Sequence, residues 1–471
     1  MGDTTKQTLF RYRYLILATL TLCYMCQWID RVATPTLMPF IAKDLGMDAR
    51  HIGLSIAIMM LFYGPSQWLT GWLCDRVGSK IMLLCSLVLW GLLNSWTAQI
   101  HGVSAWFVRM ALFGLFVGTE FVPSVRLLMR WFPAKQRATA QSIFSFAWIL
   151  TPAWAPLFAT WMFVTLGGWA AKSAQSTSIF APLINGWVNL GQGNGWRMEY
   201  IFFACASVLP LLLILLLIVD RPEKCRFASR GEIAEAYQDE IHKGLISAAD
   251  IQAGKLDGLE AKAKAGNISF RKILVTPGFL PAVAVIVVAQ QLIWGVLTWS
   301  SNYLFDVHHF KVMTMGAWAC VYFVGGALGS FLSSRISDTL LGGRRRPMIF
   351  LCFGGVIPFI IVLATLKIGV PAYVLLLTLT GAGFFSNMVW GPALSIPADL
   401  FSAEVYGKAI GFTNCIGYML AAACPGIMGL LIRTDPVTHV VSYFWAWLYI
   451  ALAALCGIVA ACFLVDRKVV R

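Results

Sequence analysis

Charge is what this sequence has least of. Asp, Glu, Lys and Arg make up 12% of the 471 residues, against 59% that are hydrophobic. At a mean hydropathy of +0.73 there is too little polar surface to cover a globule in water, which excludes a soluble fold and points to a bilayer. Histidine is scarce too: the 6 histidines lie in loops or at the ends of apolar runs, and none has metal-ligand spacing with the 12 cysteines. All cysteines but Cys74 and Cys225 fall inside apolar runs, so the CxxC formed by Cys23 and Cys26 reads as two small apolar residues on a helix rather than a redox or zinc pair. No metal or cofactor is expected. There is no phosphate-binding loop and no nucleophile constellation, so the chain does not read as an enzyme. Nor does it open like a cleaved signal, because Met1 to Thr8 is polar and the apolar run after Arg11 and Arg13 is too long for an h-region.

What is present in abundance is apolar sequence in lengths near the ~20 residues that cross a bilayer. Twelve such runs are expected, at 14–37, 51–73, 80–98, 104–130, 138–166, 199–219, 276–304, 312–334, 347–367, 371–396, 408–432 and 441–464. The formal net charge of +14 is not gathered into a patch or arm, which argues against a nucleic-acid partner. Basic residues sit in alternate loops instead: Arg11 and Arg13, Arg76 and Lys80, Arg130, Lys135 and Arg137, Arg344 to Arg346, and Arg467, Lys468 and Arg471. The positive-inside rule then places both termini in the cytoplasm of a cell carrying this chain in its inner membrane.

A polar stretch from Arg221 to Lys272 divides the runs six and six. The sequence therefore predicts an all-α membrane protein of two pseudo-symmetric six-helix bundles, 1–220 and 273–471, with a cytoplasmic loop over 221–272. Within that loop, SRGEIAEAYQDEIHKG reads either as an amphipathic helix on the membrane surface or as a solvated linker. The segment 167–197 is longer than an ordinary external loop and suits a small cap. A monomer is the expected state.

The turn GWLCDRVGSK after the second run returns in degraded form as SSRISDTLLGGRRR after the eighth. Gly71 and Gly78 offer close helix packing, while Asp75, Arg76 and, in the second copy, Asp338 stay at the rim to pair with neighbouring helices. A duplicated hairpin of this kind suits two halves that move against each other, and these five residues are its gating candidates.

Charges inside apolar runs cost several kcal/mol each unless paired or wet. The first run holds Asp30 and Arg31, the fourth Arg109, Glu120 and Arg126, and runs seven to twelve hold none before their ends. Arg109 and Glu120 are eleven residues apart, about 20° from one face and about 16 Å along the axis, so both fit one cavity at two depths. Asp30 and Arg31 diverge by about 100°, so one faces the fourth helix, pairing with Arg109, and the other the centre. Asp30 and Glu120 are candidate proton carriers, and Arg31, Arg109 and Arg126 candidate anion holders; helix locking is the competing role for each. The second half offers neutral polar groups: Gln290, Gln291, Thr298, Ser300, Ser301, Asn302 and Tyr303 in run seven, Asn387 in run ten, and the i,i+4 pair Asn414 and Tyr418 in run eleven. Such groups bind hydroxyls, or glue helices together.

The stretch IDRVATPTLMPFIAKDLGMDARHIGLSIAIMMLFYGPSQWLTGWLCDRVGSK resembles the first two spans of the major facilitator superfamily, in particular its anion:cation symporter branch. WFPAKQRATA, GWR at Gly195 to Arg197, WSSNYL at Trp299 to Leu304, IPADLF and GFTNCIGYMLAAACPGIMG are similar to the same branch. The resemblance implies a proton-coupled carrier of small organic anions, with Asp30, Arg31, Tyr63 and Asn414 in the coupling and substrate site and Gln67 beside Tyr63. Span four departs from the branch, where a Glu follows the Arg by seven residues; here Phe116 and Val117 stand in that region and the carboxylate is Glu120, which returns to nearly the same face. Trp148 replaces a polar residue of span five, either narrowing the pocket or packing.

Three functions remain open on these residues. A proton-coupled importer of a sugar acid or other carboxylate is favoured. An antiporter of phosphate esters would need paired arginines, and drug export is disfavoured because span five has Pro152 and Pro156 but no Gly before Gly167. A non-transporting sensor does not need the intact charges of spans one and four.

Overall fold

In the computed structural model the described residues are 11–174, 195–238, 270–341, 344–401, 403–438 and 440–465. The first half comprises α1 (Tyr12–Thr36), α2 (Met38–Leu45), α3 (Ala49–Val77), α4 (Ser79–Thr97), α5 (Val103–Trp131), α6 (Ala134–Leu150), α7 (Ala155–Ala174), α8 (Gly195–Ala206) and α9 (Val208–Leu217). After the short α10 (Arg230–Ala236) and α11 (Phe270–Val275), the second half comprises α12 (Phe279–Asp306), α13 (Val312–Arg335), α14 (Arg345–Thr365), α15 (Ala372–Met388), α16 (Trp390–Leu400), α17 (Ala403–Ala421), α18 (Ala423–Leu431) and α19 (Phe444–Cys462). A two-residue antiparallel ladder, Arg433–Thr434 with Val441–Ser442, closes the turn before α19.

Among the described residues 11 helices are long and apolar enough to span, or 12 if the bent pair α6 and α7 counts as one. The 52° bend falls at the 3₁₀ turn Thr151–Ala153, where Pro152 and then Pro156 cannot donate to the helical ladder. The twelve expected runs thus reappear as helices, with spans five, six, ten and eleven each built from two pieces.

Packing repeats between the halves. Spans two and four lie along each other as α3 and α5, and spans eight and ten as α13 and α15; spans three and six match spans nine and twelve in the same way. Large buried aromatics fill each bundle, Trp90, Trp106, Trp131 and Trp196 in the first and Trp299 and Trp447 in the second. Since lipid supplies no hydrophobic drive between helices, close fit does the work: Gly114 and Gly118 of α5 leave no room for a Cβ against Met59 and Ser66 of α3.

The duplicated turn is partly as expected. Gly78 sits at φ +91 between α3 and α4, a conformation that favours glycine. The Asp220 carboxylate beside it accepts from the Lys80 N–H at 2.9 Å, capping α4. Gly71, by contrast, has room to spare, since a methyl group there would meet only Val122, at 3.9 Å, so its expected role in tight packing is not seen; that role falls to α5. Arg76 lies over the Trp72 ring at 3.9 Å. The side chains of Asp75 and Asp338 lie outside the described residues; the backbone around Asp338 forms a π turn, Ile336–Leu340.

In the central loop, α10 docks on protein through acidic groups. Glu232 is buried and accepts from the N–H groups of Tyr12 at 3.2 Å and Arg13 at 2.7 Å, capping α1 where the helix dipole favours an anion. Glu235 pairs with Arg11 at 2.6 Å and Arg13 at 2.9 Å. The part of the expected amphipathic helix beyond residue 238, and most of the expected cap over 167–197, lie outside the described residues; α7 continues to Ala174 and α8 opens at Gly195.

Candidate functional site

Asp30 and Arg31 are neighbours on α1, and the structure sends them to different places. Asp30 is fully buried. Its carboxylate accepts from Trp90 Nε1 of α4 at 2.7 Å, from Thr34 Oγ1 at 3.3 Å and from an Arg109 terminal nitrogen at 3.3 Å. Arg109, equally buried, donates through Nε to Thr97 Oγ1 at 3.3 Å and through its other terminal nitrogen to Met110 Sδ at 3.1 Å. Its guanidinium lies 4.2 Å from the Phe113 ring and 5.0 Å from that of Tyr200 on α8. Tyr200 shares a 2.8 Å hydrogen bond with Thr34. Because α4 and α8 pack within their own half, this pair is sealed inside the first bundle.

The expectation that Asp30 pairs with Arg109 therefore matches the geometry, while that of Arg109 as an open anion clamp does not. Every guanidinium nitrogen of Arg109 is engaged, and drawing it away from Asp30 would leave a buried carboxylate unpaired. That costs about 3–5 kcal/mol.

Arg31 turns toward the seam between the bundles. It donates to the Val117 carbonyl of α5 at 2.9 Å and to the Tyr63 hydroxyl of α3 at 3.4 Å. Three rings surround its guanidinium carbon, Trp28 at 4.7 Å, Tyr63 at 5.0 Å and Tyr24 at 5.6 Å. Tyr63 in turn meets Tyr418 of α17 edge to face at 4.4 Å, and Tyr418 reaches Trp294 of α12 at 6.3 Å. One cation is thus presented among aromatic faces, a setting that strengthens its hold on an anion by excluding water.

Glu120 stands three residues beyond Val117 on α5. It is 1% exposed, within electrostatic reach of Arg31, Cys23, Tyr24 and Cys26, and neither of its oxygens has a hydrogen-bond partner. An unpartnered carboxyl this deep is costly as an ion and inexpensive as an acid.

The remaining candidates divide. Gln67 is buried one turn along α3 from Tyr63. Trp148 of α6 meets Trp390 of α16 edge to face at 5.8 Å, so it bridges the two bundles. Asn414 is half-buried, four residues before Tyr418 on one face of α17. Arg126 is half-buried six residues after Glu120. Asn302 and Asn387 depart from expectation: Asn302 Nδ2 donates to Thr298 O at 3.2 Å and Asn387 Nδ2 to Gly383 O at 3.0 Å. Both satisfy their own helices, and Asn387 packs over Gly326 of α13. In run seven, Gln291 accepts from Tyr449 of α19 at 3.0 Å, whereas Gln290 lies with Tyr418.

Sequence reasoning missed Tyr24, Trp28, Trp90, Tyr200 and Trp390. For the first two a signal existed, since Tyr24, Trp28 and Arg31 fall at i, i+4 and i+7 on one helical face. The others come from distant elements, with no local pattern.

Two bundles with duplicated packing, meeting around a caged cation, define a membrane transporter. The chain belongs to the Major Facilitator Superfamily, whose family model matches residues 20–172, 173–421 and 284–471. It is similar to the probable sulfoacetate transporter SauU of Cupriavidus necator, 24% identical over 89% of this chain and 87% of that one. It is also similar to the phosphoglycerate transporter protein of Salmonella typhimurium, 24% identical over 89% and 83%, and to the probable galactarate/D-glucarate transporter GarP of Escherichia coli, 24% identical over 96% and 94%. Its fold matches that of a bacterial homolog of the human lysosomal transporter Spinster, solved in an inward-facing, unoccupied conformation, with a TM-score of 0.74 at 15% identity over 96% of both chains.

Proposed function

We propose that this protein is a proton-coupled symporter of a small organic anion, a sugar acid or other carboxylate. The observation that carries the reading is the neighbourhood of Arg31, a guanidinium at the seam with the buried carboxyl of Glu120 beside it. An ionised Glu120 competes with an incoming carboxylate for Arg31; a proton on Glu120 removes that competition, so proton and anion load together. Asn414, Tyr418 and Gln290 of the second bundle supply amide and hydroxyl groups for the hydroxyls of the solute. The names of the relatives from Cupriavidus necator and Escherichia coli support an acidic, two-ended organic solute.

A phosphate-ester exchanger calls for paired guanidinium groups turned to one cavity. Arg109 is spent on Asp30, which favours the carboxylate reading over the one suggested by the Salmonella relative.

The two halves, 1–220 and 273–471, are the rocking units. Gly53 abuts Pro425, Gly429 abuts Ala49, Gly316 abuts Thr160 and Phe40 meets Phe305 at 5.4 Å. All lie toward the end of the bundle where α1 passes into α2. With both termini in the cytoplasm of the inner membrane, this is the outer end, and the conformation is closed to the outside. The transporting unit is a monomer.

The test is uptake of labelled glucarate, sulfoacetate and 3-phosphoglycerate into liposomes carrying the purified protein, with the outside acidified. Accumulation of glucarate or sulfoacetate that collapses with a protonophore supports the reading. Accumulation indifferent to the protonophore, or exchange of the phosphate ester alone, rejects it.

A further inference from the structure

Deep in the first bundle lies a carboxyl that the reading above does not use. Glu199 on α8 is fully buried, and neither of its oxygens has a hydrogen-bond partner. It lies within electrostatic reach of Asp30 and of its helical neighbour Tyr200, whose ring in turn faces Arg109. The same half holds further buried side-chain atoms without partners: both amide atoms of Asn94 on α4, the helix packed on α8, and both of Gln27 on α1, three residues from Asp30.

Buried polar atoms without a partner are few in folded proteins, and water commonly satisfies such groups. The charge balance is the decisive point. Asp30, Glu199 and Arg109 are two carboxyls and one cation. With both carboxyls ionised the compartment carries an uncompensated negative charge at a cost of several kcal/mol; with one proton between them it is neutral. Among the described residues no other ionisable group redresses this. Among the elements packed on α8, residues 155–169 of α7 and all of α9 carry none. Lys80 of α4 is at the far end bonded to the Leu215 carbonyl, and Cys85 is exposed. Arg197 of α8 itself donates to the Ala98 carbonyl and to Asp44. Cys23 of α1 points to the Pro210 carbonyl.

We infer that Glu199 is a second protonatable carboxyl, sharing one proton and the guanidinium of Arg109 with Asp30 in the interior of the first bundle. A proton leaving Glu199 passes through a bridging water to the Asp30 carboxylate; Asp30, now neutral, gives up Arg109, which pairs with the Glu199 carboxylate left behind. The compartment stays neutral throughout, and Arg109 changes partner instead of leaving. Because Asp30 and Arg31 are adjacent on α1, this exchange is mechanically linked to the anion site without opening onto it.

The inference rests on the proton-coupled reading, and infrared difference spectroscopy of the purified protein, titrated between about pH 5 and pH 9, tests the two separately. Glu199→Gln is expected to remove a protonated-carboxyl band that Glu120→Gln retains. It should also lower the ratio of gradient-driven uptake to counterflow about tenfold, with partial return in Glu199→Asp. Asp30→Asn, which leaves Glu199 alone with Arg109, is expected to convert the Glu199 band to that of a carboxylate, giving a second route if Glu199→Gln does not fold. Spectra of Glu199→Gln or Asp30→Asn that keep the wild-type protonated-carboxyl bands overturn the inference, as does an unchanged ratio of uptake to counterflow. Loss of the Glu199 band with no band assignable to Glu120 defeats the earlier reading and leaves this one standing.

Discussion

Tyr63 and Tyr418 stand edge to face with ring centroids 4.4 Å apart, one phenol from each bundle, and the Tyr63 hydroxyl is also where Arg31 donates. The Tyr63 phenol is therefore shared between a contact of the two halves and the hydrogen bond that orients the Arg31 guanidinium. On the proposed reading, an anion that draws Arg31 away from Tyr63 would also disturb this junction between the bundles.

Tyr418→Ala removes this junction. Aromatic pairs contribute about 0.5–1.5 kcal/mol beyond their buried area, so the ratio of the form closed at the α1/α2 end to the open form should fall by roughly twofold to tenfold. Spin labels on the two bundles, read as a distance distribution, check this. A distribution identical to wild type would show that other contacts hold the halves.

Glu120→Gln is expected to abolish anion accumulation driven by a pH gradient while counterflow exchange continues at a reduced rate. Parallel uptake and counterflow assays in the same liposomes decide it. Equal loss of both would make Glu120 a structural or substrate-contacting group.

The two arginines should fail differently. Arg31→Lys loses the planar fork that grips a carboxylate and should weaken anion binding about tenfold to a hundredfold, with little change in melting temperature. Arg109→Ala leaves Asp30 buried and unpaired, costing about 3–5 kcal/mol, and should show itself as lost thermal stability. Calorimetric titration beside a thermal melt separates them; the reverse pattern would exchange their roles.

Gly118→Val should prevent α3 and α5 from packing, because a Cβ there would overlap Ser66 Oγ. Gly71→Ala, with Val122 at 3.9 Å its nearest neighbour, should fold and transport normally. Size-exclusion profiles of the two detergent-extracted variants test the contrast, and a monodisperse Gly118→Val would show that the helix contact adjusts.

Much of the fold was legible in the sequence. The runs of apolar residues reappear as spans because the bilayer demands that backbone groups bond within the segment, which leaves length and hydropathy as the main signals. The turn at Gly78 was part of the expected hairpin, whereas span five, expected as one run over 138–166, is bent at Thr151–Ala153, a break that Pro152 and Pro156 explain once seen. Less legible were Gly71, whose motif suggested a packing role that Gly114 and Gly118 perform, and Asn302 and Asn387, whose amides bond back to their own helices. No spacing rule says whether an amide turns to a solute or to the carbonyl one turn away.

From the order of residues alone it follows that five charges enter two helices of one half, and that Asp30 and Arg31 point apart, since a helix sets the angle between neighbours. That order leaves the absolute rotation of α1 undetermined. Only the tertiary structure decided which of the two faces the seam: Trp90 and Thr97 of α4 and Tyr200 of α8, far apart in the chain, enclose Asp30 with Arg109, and that enclosure turns Arg31 toward the second bundle. A periodicity sets differences in direction; burial against distant partners sets the direction.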